Sequence, residues 1–415
     1  MLSRLSCLAT LALAGLSAAQ DLGVPLSWRK FSNNRTQAEI IGISQGAIAY
    51  MFPQLNSATA EFNGIGYWQS GNVWASMANH DYRSGGSAYA SQVIPGLNTA
   101  FNLHANYDQW GYNDDAMWWA TAAYYGYRAY GDQGLLDHAI KTWEHGHPGG
   151  TTSTRGERYE ADANKLASSV ITQDVANAGR ISTKKSSFKG TCEGKTMAGG
   201  VFWRANDDDL GINSITTGLY LTLSAYLAEA TGDAKYTNAA ILSANWIKTL
   251  NMRDDYIALD GIGAGDCGRS SAGWLFTYNT GKFLEGLNVL ADVTGDGQWK
   301  SLATYAANAA MKTSAWQGSN GIITEGASPS ANNDGVGFKS ILIRGLDEAY
   351  MRRQHDNEAL RILIHSYVCV QLNALLDLAA TGYTYSSAWA GPPQAFTTWG
   401  QMAALDVFVA AIHAA

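Results

Sequence analysis

Two neighbouring carboxylates, Asp114 and Asp115, are the residues of this sequence best suited to acid–base and nucleophilic chemistry. They stand just before an aromatic-rich stretch of helical spacing that contains Trp118 and Trp119. Neighbouring residues of a helix project about 100° apart, so the two carboxyl groups can approach one bound molecule from different directions. The helix N-terminus favours the ionised form of one carboxyl, and charge repulsion then raises the pKa of the other.

One ionised and one protonated carboxyl are what cleavage of a glycosidic bond requires, because one attacks while the other protonates the departing oxygen. The alternative is structural. Asp is also common at the first positions of a helix, where it caps free backbone amides. By residue type and spacing alone, a catalytic role and a capping role for Asp114 and Asp115 both stay open.

Other reactive patterns are weak in this sequence. The acidic run 207–209 lacks the glycine spacing and the distal Glu of a calcium loop. His145 and His147 have no third ligand near them in sequence, as a zinc site would require. There is no phosphate-binding loop. We therefore expect no metal and no organic cofactor.

The composition narrows the class of partner. The net charge is −7 and Lys and Arg form no dense block, which argues against nucleic acid or anionic lipid. The hydrophobic fraction of 46% and the charged fraction of 15% are typical of a globular enzyme. The 14 Trp and 21 Tyr suit stacking on sugar faces, although a large core also buries such rings.

A weak internal repeat organises the chain around the two carboxylates. Gly-Asp occurs at 131–132, 232–233 and 295–296, each time between two runs of helical spacing. Gly favours the end of a helix and Asp the start of the next, so each unit is a helix hairpin. An asparagine lies near the start of the first helix of each hairpin: Asn113, Asn213 and Asn279.

About twelve helical runs and few strand-like runs predict an all-α fold. Repeated hairpins can stack into an open solenoid, or six of them can close into an (α/α)6 barrel with the inner-helix N-termini at one rim. No linker divides the chain, so we predict a single domain over residues 20–415. The polar segment 146–190 is predicted to be a long insertion packed over the rim.

The N-terminus predicts secretion. Arg4 precedes the apolar run 5–16, and small residues follow at 17–19, which together indicate a signal peptide over residues 1–19. The C-terminal stretch lacks the spacer and apolar tail of a lipid-anchor signal. We expect a secreted, extracellular monomer without a membrane anchor, and the sequon at Asn34 predicts N-glycosylation.

The cysteines predict one disulfide. Cys192 and Cys267 lie in glycine-rich, loop-like sequence, whereas Cys369 lies in an apolar run of helical spacing. An oxidising compartment favours pairing of the first two. We predict a Cys192–Cys267 bridge and a buried, free Cys369.

The segment 112–119, Tyr-Asn-Asp-Asp-Ala-Met-Trp-Trp, resembles the signature of glycoside hydrolase family 76, the endo-α-1,6-mannanases and their fungal cell-wall relatives. Other segments resemble family motifs in family order. They are Trp68–Asn72, Cys192–Trp203, Asn213 with Ile215, Thr277–Asn279 with Gly281, Phe338–Lys339, and Trp389–Pro392. The chain departs from the family pattern at Ile212, Thr280 and Ser340, which leaves the carboxylate pair intact and bears on which mannan is accepted.

The resemblance implies an (α/α)6 barrel and a retaining mechanism, with Asp114 as nucleophile and Asp115 as general acid and base. It implies α-1,6-linked mannan or mannooligosaccharide as substrate. The function expected is therefore that of an endo-α-1,6-mannosidase. Two alternatives stay open: a transglycosidase that joins mannose-bearing glycans to cell-wall glucan, and a mannan-binding protein without turnover.

Ten further residues are candidates for substrate binding, each with a structural alternative. Aromatic side chains can serve as sugar platforms or pack in the core, and this group comprises Trp68, Trp118, Trp203, Tyr278 and Trp389. Asparagines can bind sugar hydroxyls or cap helices, and this group comprises Asn72, Asn113, Asn213 and Asn279. Lys339 can reach substrate or lie in solvent.

Overall fold

A computed structural model describes residues 21–145, 167–328 and 333–415. The predicted signal peptide, His147 and the first part of the predicted insertion lie outside the described residues. Within the described ranges the chain forms thirteen α-helices, and their bounds lie within a few residues of most of the predicted runs. The helices are α1 (Gln37–Ala49), α2 (Tyr67–Ser84), α3 (Ala90–Leu103), α4 (Asn113–Tyr130), α5 (Gln133–Glu144), α6 (Gln173–Ala178), α7 (Ser214–Thr231), α8 (Ala234–Leu250), α9 (Thr277–Thr294), α10 (Gly297–Lys312), α11 (Gly335–Arg352), α12 (Glu358–Ala374) and α13 (Thr398–Ala414).

Six of these helices close into a ring. In chain order α2, α4, α7, α9, α11 and α13 each pack against the next, and α13 packs back against α2. Helices α1, α3, α5, α8, α10 and α12 pack against the outside of the ring. The fold is therefore the predicted (α/α)6 barrel, and the open solenoid is excluded because the ring is closed.

Burial explains which helices lie inside. Helix α7 is buried from Ser214 through Ala228, and α13 from Thr398 through Ile412, so these helices are covered on every face. The outer helix α5 buries only one face, which includes Leu135, Leu136 and Ala139. A helix covered all round belongs in the middle of a protein, whereas a helix with one apolar stripe belongs on its surface.

The three Gly-Asp turns connect inner helices to outer ones, as predicted. Gly131 has φ of 70° and ends α4 in the left-handed conformation, which favours glycine, and Gly232 and Gly295 end α7 and α9 in the same way. Asp132 then accepts a hydrogen bond from the Leu135 amide at the start of α5. Asp233 and Asp296 cap α8 and α10 in the same way. These turns lie at the barrel end opposite the inner-helix N-termini.

The connections that lead into inner helices build the rim of the barrel. In the described parts of these connections there are four two-stranded antiparallel ribbons. They pair β1 (Leu55–Asn56) with β2 (Glu61–Phe62), β3 (Thr191–Cys192) with β4 (Lys195–Thr196), β5 (Gly211–Asn213) with β6 (Gly261–Gly263), and β7 (Ala380–Thr381) with β8 (Thr384–Tyr385). In the β5–β6 pair, Ile212 lies opposite Ile262.

The described part of the insertion packs on this rim. The Ile171 amide donates to the Gly200 carbonyl, and the Lys189 amide donates to the Ala264 carbonyl. Ile171 and Phe188 are buried. The predicted position over the rim is therefore confirmed for residues 167–190.

The disulfide joins Cys192 to Cys267 with their Cα atoms 5.6 Å apart, and Cys369 is free and buried, both as predicted.

Another sequence feature has a structural explanation. The stretch Glu358–Ala379, α12 with the π-helical turn that follows it, is long and apolar enough to cross a membrane, with a mean hydropathy of 1.5. Because 72% of its most apolar window is buried against barrel helices, packing accounts for that composition.

Candidate active site

The start of α4 is held in place by an extended segment of the rim. The Asn113 amide donates to the Trp203 carbonyl over 2.9 Å, and Asn113 Nδ2 donates to the Phe202 carbonyl over 2.7 Å. Tyr112 forms an isolated β-bridge with Arg204. Asn113 is buried by these contacts and positions the first turn of α4, while its contact with a sugar hydroxyl stays a prediction.

Asp114 and Asp115 follow in this first turn, and both are half-buried. The Trp203 indole Nε1 donates to Asp114 Oδ2 over 3.2 Å. The Trp203 ring packs on Tyr112 with the ring centroids 5.1 Å apart, and it stays 37% exposed. Trp203 therefore orients Asp114 while keeping an accessible aromatic surface beside it.

The two carboxyl groups differ in their surroundings. Burial raises the pKa of Asp114, but the backbone amides at the helix start and the Trp203 indole lower it again in part. Burial also raises the pKa of Asp115, and the negative charges of Asp114, Asp334 and Asp108 raise it further. Because the donors found among the described residues stabilise the charge of Asp114 and not that of Asp115, they favour an ionised Asp114 and a protonated Asp115.

Stacked aromatic rings form the floor beside these carboxylates. Trp118, one turn beyond Asp114, stacks on Trp68 at 5.4 Å, and Trp68 in turn stacks on Phe338 at 6.0 Å. Phe338 stacks on Tyr278 at 3.9 Å. We call this row of rings, extended by Phe276 and the exposed Trp274, the aromatic floor. Trp118 itself is only 2% exposed, so it supports Trp68 from below.

A pocket of about 400 Å³ opens next to Asp114, between the β5–β6 ribbon and the start of α9. Its lining mixes aromatic rings with groups that can hydrogen-bond to a ligand. The lining includes Trp203, Asn213, Asp260, Ser270, Trp274 and Tyr278.

Asp260 is the acidic group of this pocket. Its Oδ1 accepts from Asn279 Nδ2 and its Oδ2 from Ser270 Oγ, both over 3.2 Å, and burial raises its pKa. Asn279 is fully buried and supports Asp260 from behind, while its contact with substrate stays a prediction. Asn213 lines the pocket and caps α7 by accepting from the Thr216 amide.

Three more predicted binding residues lie inside the protein, and for them direct substrate contact stays a prediction. Trp389 is fully buried under Lys339, whose ammonium lies 4.8 Å from its ring centroid. Lys339 is itself fully buried, so its solvated alternative is wrong. Asn72 is buried and accepts from Arg344 Nη1 over 2.6 Å. These three side chains pack and bond within the barrel.

Sequence reasoning missed two acidic residues of the site. Asp260 stands alone before a Gly-Ile-Gly stretch, where no spacing links it to Asp114. Asp334 precedes α11 and accepts from the Trp68 indole over 3.1 Å and from Gln69 Nε2 over 2.6 Å. In the sequence Asp334 is indistinguishable from a helix cap, so only its contact with Trp68 reveals its place at the aromatic floor.

A search of the described residues finds no group of three or more His, Cys, Asp or Glu side chains that could hold a metal ion. The acidic run considered as a metal cluster makes ion pairs instead. Asp207 pairs with Lys185 at 2.8 Å, and Asp209 lies 3.9 Å from Arg204.

A protein-family model identifies the family of the chain. Residues 187–415, more than half of the sequence, match the family model described as Glycosyl hydrolase family 76. The chain belongs to glycoside hydrolase family 76. It is therefore a glycosidase by family, and the resemblance predicted from its motifs is confirmed. The matched segment contains the pocket residues from Trp203 onward and begins after the Asp114–Asp115 pair.

Two proteins of Schizosaccharomyces pombe, both named "Putative mannan endo-1,6-alpha-mannosidase", are similar in sequence. One is 22% identical over 256 residues, which cover 60% of this chain and 50% of the relative. The other is 30% identical over 160 residues, which cover 36% of each. The matches thus span half or less of the length of these relatives.

Solved structures share the fold of this family 76 chain. An inactive variant of an α-1,6-mannanase of Salegentibacter sp., in complex with α-1,6-mannotetrose, superposes with a TM-score of 0.71 at 16% identity, covering 91% of this chain and 99% of that one. Dfg5 from Chaetomium thermophilum, in complex with glucosamine, gives 0.64 at 16% identity, covering 92% of each. At these identities the likeness shows the barrel fold.

Proposed function

We propose that this chain is a secreted, retaining endo-α-1,6-mannosidase that hydrolyses α-1,6-linked mannan. The observation that carries the proposal is the state of the Asp114–Asp115 pair. Both carboxyls are half-buried and adjacent, neither has an ion-pair partner within the described ranges, and the donors favour charge on only one of them. This is the acid–base asymmetry that glycoside cleavage uses.

The relatives support the substrate class. The two fission yeast proteins carry a mannan endo-1,6-α-mannosidase name. The Salegentibacter α-1,6-mannanase is called inactive when two adjacent aspartates are replaced, and that variant was obtained with α-1,6-mannotetrose. An adjacent aspartate pair at the rim of the same fold makes α-1,6-linked mannose the first substrate to test on this chain.

In the first proposed step, the ionised Asp114 attacks the anomeric carbon of a bound mannosyl residue. The bond from that carbon to the O6 oxygen of the next mannose breaks, and protonated Asp115 transfers its proton to this oxygen as it leaves. The Trp203 indole keeps Asp114 charged and oriented before attack. Burial and the neighbouring negative charges raise the pKa of Asp115, so it stays protonated until the leaving oxygen accepts the proton.

In the second step, Asp115 is a carboxylate and accepts a proton from water. The resulting oxygen nucleophile attacks the same anomeric carbon, and the bond to Asp114 breaks. Two inversions restore the α configuration of the product. Asp115 ends protonated and Asp114 ionised, which returns the site to its starting state.

The pocket and the aromatic floor suit the binding half of this proposal. Exposed faces of Trp203 and Trp274 can stack on the apolar faces of mannose rings. Asp260, held by Ser270 and Asn279, offers carboxylate oxygens to sugar hydroxyls. An extended row of such surfaces fits an internal stretch of polymer, so we propose endo rather than terminal cleavage.

A second candidate is transglycosylation onto a cell-wall glycan. The glycosyl group on Asp114 would be the same, and a sugar hydroxyl would replace water in the second step. The fold likeness to Dfg5 supports this second candidate, because that protein is in complex with glucosamine, an amino sugar, rather than with a mannan. Hydrolysis and transfer therefore differ only in what reaches the glycosyl-enzyme.

Incubation of the enzyme with α-1,6-mannan, followed by chromatography of the products, tests the proposal. Short oligosaccharides are expected, and longer products would favour transfer. Unchanged mannan would mean binding without turnover and would overturn the proposed activity. Proton NMR of the first product is expected to show the α anomer, and a β anomer appearing first would rule out the retaining mechanism.

Secretion is tested separately, by expressing the full chain in a fungal host. The protein is expected in the medium, starting near residue 20 and carrying a glycan at Asn34. Recovery only from the cells, with residues 1–19 attached, would overturn this part of the proposal.

A further inference from the structure

Lys339 is a buried amine that the catalytic scheme leaves unused, and burial lowers its pKa to about 7. Its side chain is fully buried, and no carboxylate within the described part of the chain lies at ion-pair distance from its ammonium. Nζ instead donates to the backbone carbonyls of Glu325, over 3.0 Å, and Ser387. A buried charge without an ionic partner is costly to the fold. The hydrogen-bond partners of Lys339 therefore point to the role that keeps it in the barrel.

The two carbonyls belong to different rim loops. Glu325 lies between α10 and α11, and Ser387 lies between α12 and α13, whereas Lys339 itself is on the first turns of α11. Ser387 Oγ also donates to the Ser328 carbonyl, which joins the same two loops a second time. The Lys339 ammonium thus ties two loops to one inner helix at the rim.

The side chain of Glu325 continues this connection to α9. Its carboxylate accepts from the Thr277 amide over 2.9 Å and from the Thr277 hydroxyl, and Thr277 is the first residue of α9. The next residue is Tyr278, whose ring stacks at 3.9 Å on Phe338. Phe338 directly precedes Lys339, so the contacts form a closed circuit from α11 through Glu325 and α9 back to α11.

We propose that Lys339, acting through Glu325, is a positioning residue that fixes Tyr278 and Phe338 in the aromatic floor. This inference rests on the proposed function, in which the aromatic floor and the adjoining pocket bind mannan. Tyr278 lines the pocket beside Asp114, and its negative neighbours include Asp114 and Asp260. Release of the circuit would let the Tyr278 ring move away from the bound sugar while leaving the Asp114–Asp115 pair in place.

The test is a double-mutant cycle on KM and kcat with α-1,6-mannooligosaccharides. Lys339→Met keeps the length of the side chain and removes the ammonium. It is expected to raise KM about tenfold while kcat changes less than about threefold. Tyr278→Ala should raise KM by a similar factor. The double variant should be no worse than Tyr278→Ala alone, because both changes act on the same ring.

Two further variants separate positioning from simple loss of stability. Glu325→Gln keeps an oxygen for the Thr277 amide and should retain KM near the wild-type value, whereas Glu325→Ala should resemble Lys339→Met. Arg353→Met removes another buried cation of the same barrel, at the far end of α11, and should lower Tm without changing KM.

The outcomes separate this inference from the proposed function. Additive effects of Lys339→Met and Tyr278→Ala, an unchanged KM in Lys339→Met, or a fall confined to kcat would overturn the positioning role while the proposed activity stands. A wild-type enzyme that neither cleaves nor transfers any α-1,6-mannooligosaccharide would overturn the proposed function and this inference with it.

Discussion

Both ends of the barrel contain partly or fully buried carboxylates, and the surroundings of these groups shift their pKa values in opposite directions. At the rim, Asp114 and Asp115 have no cationic partner among the described residues, and burial raises the pKa of each. At the far end, burial alone would raise the pKa of Glu348, but the charges of Arg128, Arg352 and Arg83 hold it well below its usual range.

The geometry of the far end explains why its charge is fixed. Glu348 Oε2 accepts from Arg83 over 2.9 Å, Oε1 accepts from Arg352 over 2.7 Å, and Arg128 lies 3.1 Å from both oxygens. These residues stand near the C-terminal ends of α2, α4 and α11. A carboxylate compensated in this way cannot exchange a proton near neutral pH, so it serves the fold.

The two ends of the barrel differ in whether their carboxyl groups can exchange a proton near neutral pH. A carboxyl that lacks a cation can hold or release its proton in the range where enzymes work, at a cost to stability. A carboxyl surrounded by arginines stabilises the structure and takes no part in proton transfer.

Asp114→Ala should abolish turnover, since no glycosyl-enzyme can form without the nucleophile. We expect a loss of more than about 10⁴-fold on α-1,6-mannan and on an aryl mannobioside alike. Asp137→Asn, which changes an exposed carboxylate on the outer helix α5, is the control and should keep full activity. Measurable turnover by Asp114→Ala would move the nucleophile to another residue.

Asp115→Ala should lose about 10²- to 10⁴-fold on mannan, because the leaving oxygen then departs without a proton. The loss should be smaller for the first step on an aryl mannobioside, whose good leaving group needs no acid. Added azide should accelerate turnover by replacing the missing base. If azide rescues Asp114→Ala with a β-azide product and Asp115→Ala behaves alike on both substrates, the acid/base must be sought outside Asp115.

Glu348→Gln should destabilise the barrel by about 3–5 kcal/mol, because three arginines lose their common buried counter-charge. Urea unfolding monitored by far-UV circular dichroism measures the change. Kinetic constants of the remaining folded protein should stay near wild type. A free energy of unfolding unchanged within error would mean that the far-end network contributes nothing to stability.

Asn213→Ala and Tyr278→Ala should each raise KM about tenfold without a matching change in kcat, since both side chains line the pocket. Loss of the α7 cap makes Asn213→Ala less stable by about 1 kcal/mol, and a thermal melt corrects for that. If KM stays unchanged in both variants, these residues only cap and pack.

Asp115→Asn should stabilise the protein by about 1 kcal/mol above neutral pH, although it removes activity. The folded-state pKa of Asp115 is raised, so its contribution to stability is present at low pH and is lost as pH rises through that pKa. Glu348 has the opposite sign. Its pKa is lowered, so its contribution is present above the unfolded value and is lost as pH falls. Thermal melts across the pH range should show the alkaline loss shrink in Asp115→Asn and the acid loss shrink in Glu348→Gln.

Much of the fold was predictable because its signals are local. Gly131 and Asp132 end one helix and start the next by backbone preference alone, and the same two residue types do so at 232–233 and 295–296. The Cys192–Cys267 bridge followed from loop context against the helical context of Cys369. Ring closure was not a local signal, and its prediction depended on the family resemblance.

The binding residues were less predictable because their burial depends on distant packing. Trp203 and Trp389 are the same residue type in similar motif-like settings, yet one contacts Asp114 and the other is fully buried. Asn213 and Asn279 both lie near helix starts, but Asn213 lines the pocket while Asn279 supports Asp260 from behind. Residue type and spacing do not distinguish these cases.

The sequence by itself determined the helix hairpins, their caps and the presence of two adjacent carboxylates at a helix start, because backbone preference and capping act over a few residues. The tertiary structure alone decided the surroundings of each carboxyl. Trp203, which stabilises the charge of Asp114, is 89 residues away in sequence, and Asp334, which raises the pKa of Asp115, lies on the far side of the ring of helices. Closure of the barrel brings these groups together, and a pKa depends on what surrounds a carboxyl in space.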